Sequence, residues 1–139
     1  MDQAAYQLSL ASVPDVDRVW TMVAEGLENA CRETGGDITA DYLWSECRAG
    51  AAFLVVIERG GDIAGASVWR FEKWSSGKKF RCLVLYGRNM SDWLAEHRRL
   101  TLRMARVGGA NGIVAGGRKG WERLFPDAKV LKQIYEVPL

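Results

Sequence analysis

Residues 80–100 constrain the fold of this chain more than any other stretch, because the hydrophobic period changes there once, within a few residues. Phe80-Arg81-Cys82-Leu83-Val84-Leu85-Tyr86 is a run rich in apolar residues, too short for a helix and preceded by the turn-forming Ser75-Ser76-Gly77-Lys78. It reads as a buried strand. After Gly87 the apolar positions Trp93, His97, Leu100, Met104 and Val107 recur every three or four residues, while Arg98, Arg99, Arg103 and Arg106 take much of the remaining circumference. That pattern predicts one amphipathic helix. Ser91 is its expected N-cap, and Asp92 places a negative charge in the first turn. A strand that feeds directly into a helix leaves free backbone amides at a sheet end. Such an end is either a grip for a phosphate or pyrophosphate or an ordinary strand-to-helix connection, and the stretch alone leaves both readings open.

The rest of the chain can be placed around this unit. Tyr6-Gln7-Leu8-Ser9-Leu10-Ala11-Ser12-Val13 alternates apolar and polar residues, the period of a half-buried strand, and Pro14-Asp15 end it. Val16, Val19, Val23, Leu27 and Ala30 step by three and four, with Trp20 widening the face, so a helix is expected over 15–34 before Gly35-Gly36. A shorter helix is expected over 39–49, capped by Thr39. Residues 52–59 are apolar and β-branched enough for a central strand, Gly60-Gly61-Asp62 is a tight connection, and 63–74 form a long strand. After the central helix come a short strand at Ile113-Val114-Ala115, a short helix over 119–125 and a last strand over 130–137. The expected order is β, α, α, β, β, β, α, β, α, β, which makes residues 1–139 one α/β (α+β) domain with a mixed sheet.

Composition excludes several classes of function. A net charge of +2 is too small to argue for nucleic acid, whose backbone calls for clustered excess positive charge. The arginines of the central helix are the one basic patch, and a solvated helix face accounts for them. Cys31, Cys47 and Cys82 are odd in number and show no metal-ligand spacing, so they read as buried thiols and no metal is expected. No signal segment or long apolar span is visible, and a cytoplasmic protein without membrane contact is expected. There is no complete P-loop and no Gly-x-Ser-x-Gly elbow. Six tryptophans raise the expectation of an aromatic-lined groove without locating it.

The order of elements resembles that of the Gcn5-related N-acetyltransferase (GNAT) superfamily over nearly the whole chain. Gly117-Arg118-Lys119-Gly120-Trp121-Glu122-Arg123-Leu124-Phe125, followed by a terminal strand containing Tyr135-Glu136-Val137-Pro138-Leu139, is similar to the closing helix and strand of small GNAT-like proteins of phages and prophages. The resemblance implies acetyl-coenzyme A as cosubstrate. Its acyl and pantetheine arm would lie along Leu83, Val84, Leu85 and Tyr86, with the pyrophosphate at Gly87, Arg88, Asn89, Met90 and Ser91. The family's loop carries glycines that let the backbone wrap around phosphate, whereas Gly87-Arg88-Asn89-Met90-Ser91-Asp92 has one glycine, at its start, and a carboxylate at the helix entry. Arg88 is the expected direct phosphate ligand in compensation.

The same resemblance asks for a base and an acid. The strand from Phe80 to Gly87 carries no carboxylate, so Glu72 on the preceding strand is the candidate base, a surface ion-pair residue being the other reading; Trp121 stands where members keep a proton-donating tyrosine, which leaves Tyr86 as the candidate acid, with core packing as the other reading. His97 lies on the dry helix face and reads as structural, and Cys82 as a buried thiol. The implied activity is acetyl transfer to an amine, on a small molecule or a protein, by direct attack. The alternative is a catalytically inactive GNAT-fold binding or assembly protein of phage or prophage origin. A homodimer is compatible with either.

Overall fold

Among residues 5–116 and 125–139, which the computed structural model describes, the chain forms β1 (Tyr6–Leu10), α1 (Val16–Glu33), α2 (Ala40–Arg48), β2 (Phe53–Arg59), β3 (Asp62–Trp74), β4 (Gly77–Gly87), α3 (Leu94–Val107) and β5 (Gly112–Ala115). The strands make one sheet in chain order. Neighbours are antiparallel except β4 and β5, which run parallel because α3 carries the chain back between them. This is a single α+β domain with a five-stranded mixed sheet. No helix among the described residues is long and apolar enough to cross a membrane.

Each helix covers the face its apolar stripe dictates. Val16, Val19, Trp20, Val23, Leu27 and Ala30 of α1 bury with Leu43 and Cys47 of α2 against Leu54, Val56, Ala66, Val68 and Val84 on one side of the sheet. Thr39 caps α2 as expected, its hydroxyl accepting from Tyr42 N at 3.1 Å. On the other face Val55, Trp69, Phe80 and Cys82 meet α3. Trp69 stacks on Phe80 at 5.0 Å, and each such fully buried aromatic contributes roughly 1.5–3 kcal/mol. The three cysteines are free and buried.

The entry and buried stripe of α3 depart from expectation. Ser91 does not cap it: Met90–Asp92 form a 3-10 turn, Trp93 fills the cap position, and the α-helix begins at Leu94 without a side-chain cap. Its fully buried face is Trp93, His97, Thr101 and Ala105, and Leu100 and Met104 pack partly buried beside it as expected, whereas Val107 is 83% exposed. Thr101 tolerates the interior because its hydroxyl donates to the His97 carbonyl at 2.9 Å. The expected last strand over 130–137 is also corrected. Residues 128–139 form no strand, and Val130, Leu131, Ile134, Tyr135 and Val137 are exposed. The expected helix over 119–125 and the glycine-arginine segment before it fall on residues 117–124, outside the described residues.

His97 joins α3 to the sheet through buried polar groups. Trp69 Nε1 donates to Ser67 Oγ at 2.8 Å, and Ser67 Oγ lies 2.8 Å from His97 Nε2. With its oxygen accepting from tryptophan, the serine has its own proton left for His97 Nε2, which makes the histidine a neutral acceptor. Burial lowers its pKa from 6.5 to about 4. The unfolded chain protonates this histidine below about pH 6.5 while the folded chain does not, so stability is intact above that pH and declines as pH falls toward 4. Urea unfolding should show a loss of about 3 kcal/mol across that window attributable to the chain's one histidine, at 1.36 kcal/mol per pKa unit. His97→Gln should flatten that slope; an unchanged slope would contradict the assignment.

Candidate functional site

The candidate site lies where β4 stops being an interior strand. Pairing with β5 covers Lys79, Phe80, Arg81 and Cys82 and ends at Cys82↔Ala115. The next residue, Leu83, is the extra residue of a β-bulge, since Val68 pairs with Val84 but Trp69 pairs with Cys82. A bulge bends its strand and increases local twist. From Leu83 to Gly87, β4 is therefore held on its β3 side only, and its other edge offers main-chain groups with no strand partner among the described residues. The side chains there serve packing. Val84 is buried, Leu83 and Tyr86 lie against the α1 side, and Leu85 lies against the α3 side. The ring of Tyr86 occupies the space over Gly26 of α1, where an added Cβ would come within 2.2 Å of it.

Beyond Gly87 the chain turns across the end of the sheet. Gly65 and Gly87 lie side by side beneath the indole of Trp93. A Cβ on Gly65 would lie 2.5 Å from the Tyr86 carbonyl oxygen, and one on Gly87 would lie 2.4 Å from the Trp93 ring. Arg88 N donates to Ala64 O at 2.9 Å, Arg88 Nη2 to Ile63 O at 3.0 Å, and Trp93 Nε1 to Arg88 O at 3.0 Å. Asn89 takes the left-handed conformation at φ 53°, which asparagine tolerates better than most residues, and so reverses the chain without a second glycine. Met90 packs on Ile57, Ala64 and Trp93, while Arg88, Asn89 and Ser91 are exposed. The nine residues from Leu83 to Ser91 thus run in chain order from an open strand edge to an uncapped turn.

Glu72 and Tyr86 are not brought together. Glu72 pairs across the hairpin with Lys79, while Tyr86 pairs with Ala66, six residues away along β3, or about 20 Å at 3.4 Å per residue. The Glu72 carboxylate accepts from Arg70 Nε at 2.9 Å and Trp74 Nε1 at 3.1 Å, with Arg81 Nε 2.8 Å away. Burial on its own would raise the carboxyl's pKa. The donors from Arg81, Trp74 and Arg70 outweigh it and hold the pKa at about 2. Arg70 also donates to Tyr42 Oη at 2.8 Å, so the cluster ties α2 to the hairpin. Tyr86 has its pKa raised by burial, with the Arg88 charge opposing, which keeps it protonated. Burial pushes the Cys82 thiol far above its ordinary range, the state of a packing residue and not of a nucleophile.

Sequence reasoning passed over Gly65 and Tyr6. An isolated glycine inside a strand signals a close approach, and at Gly65 that signal was present. Tyr6, whose hydroxyl reaches Asp92 across 86 positions, had none.

No protein-family model matches this sequence, and no curated protein matches it. Solved structures do match. A GCN5-related N-acetyltransferase from Ralstonia eutropha JMP134 superposes with a TM-score of 0.71 at 16% identity, over 96% of this chain and 99% of that one. This is the GNAT fold. A predicted acetyltransferase from Clostridium acetobutylicum, solved with acetyl-CoA, gives a TM-score of 0.68 at 13% identity over 96% of each chain. An aminoglycoside acetyltransferase from an uncultured soil metagenomic sample gives 0.69 at 10% over 96% of each chain. At these identities the likeness to GNAT proteins is one of fold. It agrees with the element order from β1 to β5, including the parallel return to β5 after α3.

The crowding at the GNAT-like junction is directly testable. Gly65→Ala sets a methyl group against the backbone of Tyr86 and Gly87 and should cost about 1–3 kcal/mol in urea unfolding, the usual range for overpacking. A variant as stable as the parent would show that the loop is not fixed by this contact.

Proposed function

We propose that this chain transfers an acetyl group from acetyl-coenzyme A to an amine. The observation that carries the reading is the parting of β4 from β5 at Cys82↔Ala115, beside the bulged Leu83, which frees one edge of a strand that leads straight to an uncapped turn. An extended chain with amide groups can add to such an edge as a strand would, which suits a pantetheine arm along Leu83, Val84, Leu85 and Tyr86. The backbone of the exposed residues Asn89 and Ser91, the adjoining Met90 and the Arg88 guanidinium suit the pyrophosphate. The solved likenesses support the reading, since they are acetyltransferases and one holds acetyl-CoA.

The reaction replaces the thioester C–S bond with a C–N bond and releases the thiol. The chain's contribution in this proposal is orientation. Holding two reactants in line is worth up to about 7–11 kcal/mol of a barrier without any proton transfer by the protein. Glu72, engaged by two arginines with its pKa at about 2, holds a proton too weakly to serve as a base near neutral pH, and the proposal gives it no step. Tyr86 is in the protonated form that a donor to the departing thiolate needs. The amine acceptor, small molecule or protein, is left to experiment.

A second reading is a GNAT-fold protein that binds or assembles without catalysis, as a phage-borne protein could. It is favoured by the loop, where the Arg88 guanidinium is already bonded to Ile63 O and the carboxylates of Asp92 and Glu96 stand at the helix entry. Titration with acetyl-coenzyme A separates the two. A ligand that binds only the folded state raises its melting temperature, by an amount worth about 2.7 kcal/mol at a hundred times Kd. We expect such a rise, and Arg88→Ala should weaken binding by about three- to tenfold, the worth of one charge-assisted contact. No rise at millimolar ligand would sink the acetyltransferase reading.

A further inference from the structure

Ser91 and Asp92 are cap-forming residue types at the entry to α3, yet neither the 3-10 turn nor the helix has a side-chain cap. Asp92 is engaged elsewhere. Tyr6, on β1 at the far edge of the sheet, donates its hydroxyl proton to Asp92 Oδ2 at 3.1 Å. Arg59, the cross-strand neighbour of Tyr6 on β2, braces it twice. Arg59 Nη1 donates to Tyr6 Oη at 3.1 Å, and the guanidinium carbon sits 4.8 Å from the tyrosine ring centroid. The hydroxyl thus passes hydrogen bonding from a cation on the sheet to a carboxylate on the loop.

We propose that Tyr6, braced by Arg59, is a positioning residue for phosphate binding: it holds the Asp92 charge away from the uncapped amides of the turn, leaving them to the pyrophosphate of coenzyme A. The inference rests on the acetyl-coenzyme A reading above. A released aspartate at this place has two options, and both compete with a diphosphate. It can accept from the first amides of α3, as acidic residues at helix entries commonly do, and so occupy the anion-attracting end of the helix, or it can stand near the bound anion and repel it. The latch removes both by giving the carboxylate a partner that belongs to the sheet. The carboxylate at the helix entry is then compatible with an anion site because its direction is fixed.

The test is a double-mutant cycle read as the Kd of coenzyme A by calorimetry, with melting temperatures confirming that each variant is folded. Tyr6→Phe should weaken binding by about three- to tenfold, the worth of one charge-assisted hydrogen bond near the surface. Asp92→Asn keeps an acceptor for the tyrosine but removes the charge, and should bind at least as tightly as the parent. The variant carrying both changes should return to within about twofold of Asp92→Asn, because without the charge the latch has nothing to restrain. A merely structural prop would leave the double variant as weak as Tyr6→Phe, and that result, or an unchanged Kd in Tyr6→Phe, would overturn the inference while leaving the acetyl-coenzyme A reading intact. No binding of coenzyme A by the parent protein would overturn that reading first, and this inference with it.

Discussion

The packing of Trp93 onto Gly65 and Gly87 is the contact on which the junction of β4 and α3 depends. The indole is 1% exposed, lies against two glycines on adjacent strands, and spends its N–H on the Arg88 carbonyl. No other residue type fits at either glycine without displacing backbone or ring. The contact fixes where β4 ends, forces the chain through Asn89 in the left-handed conformation, and delays the α-helix to Leu94. From there α3 carries the chain back, and β5 returns parallel to β4 and pairs with it as far as Cys82. The open edge follows from this geometry and from the bulge at Leu83.

Electrostatics in this protein are largely arranged by pairing across the sheet. Glu72 is neutralised by Arg70 and Arg81, Asp92 is directed by Tyr6 and Arg59, and His97 is kept neutral beneath Ser67 and Trp69. Each arrangement leaves a charge or a polar group with a defined partner, and each removes it from the list of free acids and bases. What remains near the strand edge is main chain. That is the arrangement the proposed transfer, built on holding reactants in line, calls for.

Much of the fold was legible because its signals are local. The stripe of Val16, Val19, Val23 and Leu27, the Thr39 cap and the β-branched run of β2 are all written within a few residues of one another, and the structure follows them. The entry to α3 was misread because Ser91 is a good cap in isolation, while the burial of Trp93 against Gly65 and Gly87, from other strands, decides where the helix begins. The buried stripe ran through Thr101 and Ala105 instead of ending at Val107, because Thr101 satisfies its hydroxyl on the helix itself. Residues 130–137 were expected as a last strand, but an apolar run supplies no partner, and in the structure Val130, Leu131, Ile134, Tyr135 and Val137 are exposed. At Glu72, a base candidate or a surface ion-pair residue by sequence, the choice could not be read locally, since Arg81 lies nine positions away and becomes its neighbour only through the hairpin. The path from Leu83 to Ser91 was named only through the resemblance, because no local pattern in those residues marks a ligand site.

The central claim is that the free edge of β4 and the turn after it form the coenzyme A site. Amide hydrogen exchange with and without coenzyme A tests it residue by residue, because a ligand that pairs with backbone groups slows exchange at those groups beyond any global stabilisation. The account predicts slowed exchange concentrated at residues 83–87 and 89–91, with the paired residues 79–82 changing only as much as the domain as a whole. Protection that appears elsewhere, or binding that leaves residues 83–91 unchanged, would contradict it.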